Sequence, residues 1–361
     1  MKQFQKKEAA YLRLYRVLRE EIVGGVYPFG TKLPSKRTIA AENGVSTVTA
    51  EHAYALLTDE GYIEPRERSG YFVSFRVGDY FAAAPLPRRT GPALSAPSVS
   101  GDTRFPISVL TRTMRRVMAD KGEGILQRTE GSGCAELRTA IARYLRRGRG
   151  IQADEKQIII GSGAEYLYGM IVKLLGSGRI YGVESPSYNK IAQVYGAEGV
   201  KIELLPLGHD GIESRALLRT RAEVLHLTPY RSFPSGISAS ASKRHEYLRW
   251  AAKGGRYLIE DDFESEFSVS AKPEETLFGS TAADNVIFVN TFSMTVSPAM
   301  RAAYMVLPKH LVGEFEEKLG FYACTVPTFE QLVLTELIEN GDFERQINRV
   351  RRAKRREAKQ Q

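Results

Sequence analysis

Residues 288–308 read FVNTFSMTVSPAMRAAYMVLP. This stretch predicts an apolar strand, a turn of small and polar residues, and a second apolar strand that begins after Arg301. Short apolar segments recur from residue 157 onward and alternate with helical patterns. They are QIIIG (157–161), RIYGVE (179–184), KIELLPL (201–207), EVLHLTP (223–229), RYLIEDD (256–262), NVIFVN (285–290) and AAYMVLP (302–308). The alternation predicts an open, mostly parallel α/β sheet with helices on both faces and ligands at the carboxyl ends of its strands.

Length and composition narrow the class of protein. A chain of 361 residues predicts two domains, and a net charge of +9 favours a polyanionic partner, although that charge could also serve solubility alone. Cys134 and Cys324 lie far apart and the five histidines show no ligand spacing, so we expect neither a disulfide framework nor a metal site. The N-terminal residues lack the apolar core of a signal peptide, and no apolar run approaches a membrane span. We therefore expect a soluble cytoplasmic protein.

The first 75 residues predict a small helical unit followed by two strands. An apolar stripe of Tyr11, Leu14, Leu18 and Ile22 marks a first helix. Two further helices follow, the first capped by a serine at residue 35 and ending near residue 42, the second capped by a serine at residue 46 and ending near residue 61. Residues 62–73 then predict two short strands around a basic turn. Two helices joined by a tight glycine turn, with a wing after them, are typical of a winged helix-turn-helix.

This segment resembles the DNA-binding head of the GntR family. The shared elements are LPS-x-R-x-x-A (33–40), GVS-x-x-T (44–49) and EGY-x6-SGYFV (60–73). The resemblance implies a double-stranded DNA operator as partner. It places Ser35, Lys36, Arg37 and Thr38 at phosphates or the groove edge, Thr47, Thr49 and His52 in the major groove, and Arg66, Arg68 and Gly70 at the minor groove or backbone. The alternative is a helical hairpin with a solvated basic face.

Residues 76–104 are rich in Pro, Ala, Ser and Gly and lack apolar periodicity. They predict a flexible linker. The expected organisation is a DNA-binding domain over residues 1–75, this linker over 76–104, and an α/β body over 105–361.

Two strand ends in the body carry polar residues that suggest a ligand site. Gly161 to Ala164 lie between a predicted strand and a helix, where free backbone N–H groups favour an anionic phosphate, although a plain turn would look the same. Residues 258–267, LIEDDFESEF, place a carboxylate cluster at the end of another strand.

The body resembles the fold-type I pyridoxal 5'-phosphate (PLP) transferases of the aspartate aminotransferase class, and most of all the MocR-type regulators of the GntR family. The resemblance implies an α+β winged helix-turn-helix head joined to an α/β PLP-transferase large domain. The cofactor-binding residues that it implies are Gly163, Ala164, Tyr188, Asp261, Thr291, Ser293 and Arg301. Asp261 would pair with the pyridine nitrogen, Tyr188 would stack on the ring, and Arg301 would hold the phosphate.

Three departures from that family cluster around the same predicted cofactor. Met294 stands at the position of the Schiff-base lysine, Phe263 at that of a tyrosine which bonds the ring hydroxyl, and Ser232 at that of a glutamine. Transamination needs an amine to hold the cofactor and a base to move a proton, and methionine supplies neither. We therefore expect no catalytic residue at position 294, and PLP, if bound, to be held without a covalent bond.

These residues leave three functions open. The first is a transcription regulator whose body serves dimerisation and the sensing of PLP, an amine or an amino acid, without transaminase turnover. The second is a working aminotransferase that uses another lysine, Lys190 or Lys243. The third is a body that binds no small molecule and only pairs two heads on an operator. The basic segment 343–361 predicts a solvated helix, and the family's small C-terminal domain is expected to be missing.

Overall fold

The computed structural model describes residues 9–67, 69–76, 105–268, 275–281 and 283–360. Contacts divide the chain into two units, Met1–Leu94 and Ser95–Gln361. The expected linker, residues 76–104, lies outside the described residues except for Arg76, whose guanidinium lies 4.0 Å from the centroid of the Phe29 ring.

The described part of the first unit contains three helices and a two-stranded wing, which confirms the predicted winged helix-turn-helix. The elements are α1 (Ala10–Val23), α2 (Lys36–Glu42), α3 (Thr47–Asp59), β1 (Ile63–Arg66) and β2 (Gly70–Val73). Both predicted caps are confirmed, because Ser35 Oγ accepts from Thr38 N and Ser46 Oγ accepts from Thr49 N, each at 3.1 Å. These bonds satisfy helix N–H groups that have no partner within the helix.

The second unit is built on an eight-stranded sheet of order β3-β10-β9-β8-β7-β4-β5-β6. The strands are β3 (Ile158–Gly161), β4 (Ile180–Ser185), β5 (Lys201–Gly208), β6 (Gly211–Ile212), β7 (Val224–Leu227), β8 (Tyr257–Asp261), β9 (Val286–Thr291) and β10 (Ala303–Val306). All seven apolar segments predicted as strands are therefore strands. The central pairs are parallel, whereas β10 runs antiparallel to both β3 and β9.

Ten helices of the described ranges belong to this unit. They are α4 (Ile107–Lys121), α5 (Ala135–Arg149), α6 (Ala164–Leu175), α7 (Asn189–Ala197), α8 (Ser214–Arg219), α9 (Ala241–Ala251), α10 (Leu277–Ser280), α11 (Lys309–Leu319), α12 (Thr328–Glu339) and α13 (Asp342–Gln360).

The sheet is buried on both faces, as its continuous apolar strands predict. Along β3, Ile158 and Ile160 pack into one core, with side chains of α5 and α12, while Ile159 packs into another, with side chains of α6 and α11. Successive side chains of a strand point to opposite faces, so one apolar strand serves both cores. This packing fixes the sheet edge at which the carboxyl ends of β3, β4, β7, β8 and β9 meet.

Candidate functional site

A cavity of about 340 Å³ lies at this edge of the sheet. All seven residues predicted to bind a cofactor line it: Gly163, Ala164, Tyr188, Asp261, Thr291, Ser293 and Arg301. Asp261 ends β8, Thr291 ends β9, and Gly163 precedes α6. The fold therefore brings together residues that lie up to 138 positions apart in the sequence.

Asp261 is a buried carboxylate, and its side-chain contacts within the described residues lie at one oxygen. The Tyr168 hydroxyl donates to its Oδ2, and His226 Nε2 lies 3.4 Å from the same oxygen. Tyr195 Oη lies 2.6 Å from His226 Nδ1. When the Tyr195 hydroxyl donates this bond, the ring proton lies on Nε2 and faces Asp261. Neither contact uses Oδ1, which leaves that oxygen to accept a proton donor from the cavity. Burial, followed by the charge of Asp261, raises the pKa of Tyr168 well above its usual value, so the phenol remains a donor.

Arg301 lies across the cavity mouth in an ion pair. Its Nη2 is 3.0 Å from Glu165 Oε2, and Lys190 Nζ is 2.6 Å from Glu165 Oε1. The hydrogen bond from Lys190, and then the one from Arg301, lower the pKa of Glu165 despite an opposing effect of burial. One carboxylate therefore bridges Arg301, which lines the cavity, and Lys190, which lies beside it.

The backbone conformation at residue 163 favours glycine, and the arginine approaches it closely. The φ of Gly163 is +98°, a region that side chains rarely adopt, and a Cβ there would lie 2.9 Å from Arg301 Nη2. A larger residue would push the guanidinium away from the N-terminus of α6.

Thr291 and Ser293 form a small hydroxyl cluster between β9 and the turn that follows. The two hydroxyl oxygens lie 2.9 Å apart, and Ser293 N donates to Thr291 Oγ1 at 3.1 Å. Together with Arg301 and the first N–H groups of α6, they give the cavity several hydrogen-bond donors suited to an oxyanion.

The remaining wall is apolar. Tyr188 and Phe233 meet edge to face with ring centroids 6.2 Å apart, and Phe263 and Met294 also line the cavity. Met294 is half exposed, at 50%. Among the described lining residues there is no lysine.

Ser232 does not line the cavity but lies behind it. Its Oγ donates to Glu184 Oε2 at 2.9 Å, and Thr228 N donates to the same oxygen at 3.3 Å. Burial raises the pKa of Glu184. These hydrogen bonds connect the loop after β7 to the end of β4 and so position Thr228, which lines the cavity.

The two lysines of the second hypothesis occupy different places. Lys190 is half exposed beside the cavity, with Nζ 5.9 Å from the centroid of the Tyr188 ring. Lys243 is buried elsewhere and donates to Ile212 O at 2.8 Å and Glu246 Oε2 at 2.8 Å. The structure thus separates Lys243 from the cavity lining.

In the head, the residues predicted to meet phosphates lie at the N-terminus of α2. Ser35 Oγ is also 2.7 Å from Thr38 Oγ1, and Arg37 is exposed. Lys36 Nζ donates to Glu51 of α3 at 3.0 Å. Glu51, exposed on α3, is a residue that the sequence interpretation did not single out.

The predicted major-groove residues lie on the first turns of α3. Thr47 is exposed, and Thr49 Oγ1 is 2.8 Å from the capping Ser46 Oγ. His52 is exposed and meets Tyr11 edge to face at 5.8 Å. These side chains therefore share the exposed N-terminal half of one helix.

The predicted wing residues lie at its turn. Arg66 pairs with Glu64 at 2.9 Å and lies 4.4 Å from the Phe72 ring centroid, opposite Gly70, whose φ is +107°. Arg68 lies outside the described residues.

The sequence interpretation did not single out Glu165 and Tyr168, which line the cavity, or His226, which lies behind it against Asp261. Glu165 and Tyr168 are three positions apart at the start of α6, and that spacing put both side chains near the same end of the sheet. His226 lies on β7 and could be told from a core histidine only by its contact with Asp261.

Within the described ranges, no group of His, Cys, Asp and Glu could hold a metal ion. In the same part of the chain, no helix has the length and apolar character needed to cross a bilayer.

A winged helix-turn-helix joined in one chain to a fold-type I aminotransferase sheet defines a DNA-binding regulator with an aminotransferase-like body. Residues 10–73 match the bacterial regulatory proteins of the gntR family, and residues 94–361 match the class I and II aminotransferases. The chain belongs to the GntR-family transcriptional regulators that carry a class I and II aminotransferase domain, and its relatives are of the MocR type.

Two of those relatives show the extent of the similarity. The "Uncharacterized HTH-type transcriptional regulator YdeL" of Bacillus subtilis is 31% identical, over 95% of this chain and 76% of its own length. The "Probable rhizopine catabolism regulatory protein MocR" of Rhizobium meliloti is 27% identical, over 94% of this chain and 74% of its own length.

Among solved structures, the body resembles LysN, an alpha-aminoadipate aminotransferase of Thermus thermophilus complexed with N-(5'-phosphopyridoxyl)-L-leucine. The TM-score is 0.61 at 26% identity, covering 69% of this chain and 64% of that enzyme. The chain thus spans slightly less than two thirds of that enzyme's length.

The cavity suits a pyridoxal-type phosphate in three respects. Asp261 Oδ1 is an anionic acceptor, which a protonated pyridine nitrogen requires. Arg301 and the N-terminus of α6 supply donors for a phosphate. The aromatic and thioether wall supplies apolar surface for a flat ring.

Proposed function

We propose that this regulator senses a pyridoxal-type phosphate, free or joined to an amine or amino acid, in the body cavity without transaminase turnover. The observation that carries the proposal is the combination of Asp261 and Arg301 in one cavity with Met294 where the family resemblance implies the lysine. Because the DNA-binding head belongs to the same chain, a ligand bound to the body would alter DNA binding and so transcription.

Each residue has a physical role in this proposal. PLP, when bound, supplies an electron sink for amine chemistry. Asp261 Oδ1 would accept from the ring nitrogen, with Tyr168 and His226 holding the carboxylate in place. Arg301 would bind the phosphate. The Met294 thioether can neither bond an aldehyde covalently nor carry a proton between carbons.

The head residues named above are proposed to contact the operator, with Arg37 at a phosphate and Thr47 at the major groove. A homodimer would place two heads on two half-sites, as two-fold operators require. The division into residues 1–75, 76–104 and 105–361 and a cytoplasmic location belong to the same proposal.

The test mixes the protein with PLP and records the visible spectrum, followed by borohydride reduction and intact mass. The three proteins are the wild type, Met294→Lys and the control Met118→Lys, which adds a lysine at a similarly exposed methionine of α4 (52% against 50%). We expect a covalent lysine adduct in Met294→Lys alone. Adducts to surface lysines would appear equally in all three proteins.

A specific adduct in the wild type would overturn the proposal in favour of the second hypothesis, an enzyme using another lysine. Lys190 is the candidate because it lies beside the cavity. Loss of that adduct in Lys190→Arg would identify it. No PLP binding by the wild type or by Met294→Lys would leave only the third hypothesis, a body that pairs DNA-binding heads.

A further inference from the structure

Glu165 pairs with Arg301, the cation on which a bound phosphate would depend, and with Lys190 beside the cavity. Its two carboxylate oxygens contact Arg301 Nη2 at 3.0 Å and Lys190 Nζ at 2.6 Å. Glu165 is the second residue of α6, so its backbone is fixed at the same helix N-terminus that would face the phosphate. The carboxylate is therefore built into the anion-binding end of the cavity.

We propose that Glu165 is a specificity-determining residue that weakens the binding of dianionic phosphomonoesters in this cavity. The inference rests on the proposed function, since it concerns the phosphate of the same ligand. A phosphate that approaches Arg301 must displace the carboxylate or share the guanidinium with it. In either case a negative charge remains close to the dianion.

The charges at the mouth set the direction of the effect. Two cations and one carboxylate leave one net positive charge, so a phosphate is still attracted. Without the Glu165 carboxylate, the net charge of these groups would be plus two. The lowered pKa of Glu165, caused first by the Lys190 hydrogen bond, keeps it ionised at neutral pH.

A competing interpretation is that Glu165 helps binding by positioning Arg301. The two interpretations predict opposite signs. If Glu165 mainly orients the guanidinium, its removal weakens phosphate binding; if it mainly competes, its removal strengthens binding. Gly163 has no Cβ and so leaves room for the guanidinium at the start of α6, and the backbone of Arg301 lies only two residues before β10, which holds it in the sheet. Competition is therefore the larger effect.

The experiment measures affinity by calorimetry with the full chain. The ligands are pyridoxamine 5'-phosphate, which has no aldehyde and forms no adduct with lysine, and pyridoxamine, which lacks the phosphate. The variant is Glu165→Gln. The control is Glu344→Gln, which breaks a similar ion pair, with Arg147 at 2.9 Å, at similar side-chain exposure (35% against 30%).

We expect Glu165→Gln to bind pyridoxamine 5'-phosphate roughly tenfold tighter, the effect of removing one charge about 6 Å from a dianion in water-like surroundings. Pyridoxamine affinity stays unchanged, and Glu344→Gln behaves as the wild type. The gain shrinks at high salt, because the interaction is exposed to solvent.

Equal or weaker binding of the phosphate by Glu165→Gln overturns this inference while the proposed function stands. A gain of the same size for pyridoxamine also overturns it, because the effect would not involve the phosphate. If neither protein binds either ligand, and millimolar inorganic phosphate produces no heat, the proposed function fails and the inference with it.

Discussion

Replacing Asp261 by asparagine tests the proposed ring contact most directly. Asparagine has the same shape, but only one of its two terminal atoms accepts a hydrogen bond. In the structure, the Tyr168 hydroxyl and His226 Nε2 both use Oδ2. The amide oxygen of the variant would take that place, so its NH₂ group would face the cavity where Oδ1 now lies.

The magnitude follows from this exchange of an acceptor for a donor. A hydrogen bond between a carboxylate and a protonated ring nitrogen contributes about 1.5–3 kcal/mol, and the variant would place two N–H donors against each other. We expect pyridoxamine 5'-phosphate to bind roughly 10- to 150-fold more weakly to Asp261→Asn. A ligand that carries carbon in place of the ring nitrogen would lose none of its affinity.

Calorimetry with both ligands on both proteins separates the ring contact from general damage to the cavity. Urea unfolding supplies the control for folding, because the variant removes a buried charge. An affinity for pyridoxamine 5'-phosphate within about twofold of the wild type, in a variant that unfolds at the same midpoint, would refute the proposed role of Asp261. A loss shared by the carbon analogue would do the same.

Four further predictions concern DNA binding and stability. Arg37→Glu abolishes binding to a DNA fragment selected with the wild type, since a repulsive charge replaces a phosphate contact; a gel shift that is unchanged at equal salt would contradict the assignment of the head. Arg149→Met lowers the free energy of unfolding by about 3–5 kcal/mol, because Asp262, 2.6 Å away and fully buried, is left unpaired. Adding Asp262→Leu recovers much of this loss in urea denaturation if the pair explains it. Leu57→Ala, at a fully buried position of the head, lowers the free energy of unfolding by about 2–5 kcal/mol and impairs DNA binding. The body is a separate unit, so its ligand affinity is retained. An equal loss of DNA binding and of ligand affinity would argue against independent units. Burial raises the pKa of Glu260 from 4.5 to about 7, so the folded state binds the proton more tightly and stability falls as pH rises between those values. In Glu260→Gln the urea midpoint would change less with pH across this range than in the wild type. An identical pH dependence in both proteins would assign the effect to other groups.

Local patterns in the sequence were enough to predict the elements of the head and seven of the eight strands of the body, but not the short strand β6. The serine caps at residues 35 and 46 and the glycine turn between them specify the two helices of the head by contacts within a few residues. The seven apolar segments are short and bounded by polar turns, so each became a strand. In such cases the chemistry that decides the structure lies within the segment itself.

The sequence also indicated which residues meet in the cavity, but only through the resemblance to a family. Residues as distant as Gly163 and Arg301 have no local pattern that connects them. The antiparallel placement of β10 between β3 and β9, which brings Arg301 beside the start of α6, follows from the strand order.

What the sequence by itself determined is therefore the elements of the head and most strands of the body, while the class of site came from the resemblance to a family. The tertiary structure alone decided that Glu165 pairs with Arg301 across 136 positions and that Arg149 pairs with Asp262 across 113. It also decided that Asp261 keeps one oxygen for the cavity. The physical reason is that helices and strands follow from periodicities of a few residues, whereas charge pairs depend on which elements the packed sheet makes neighbours.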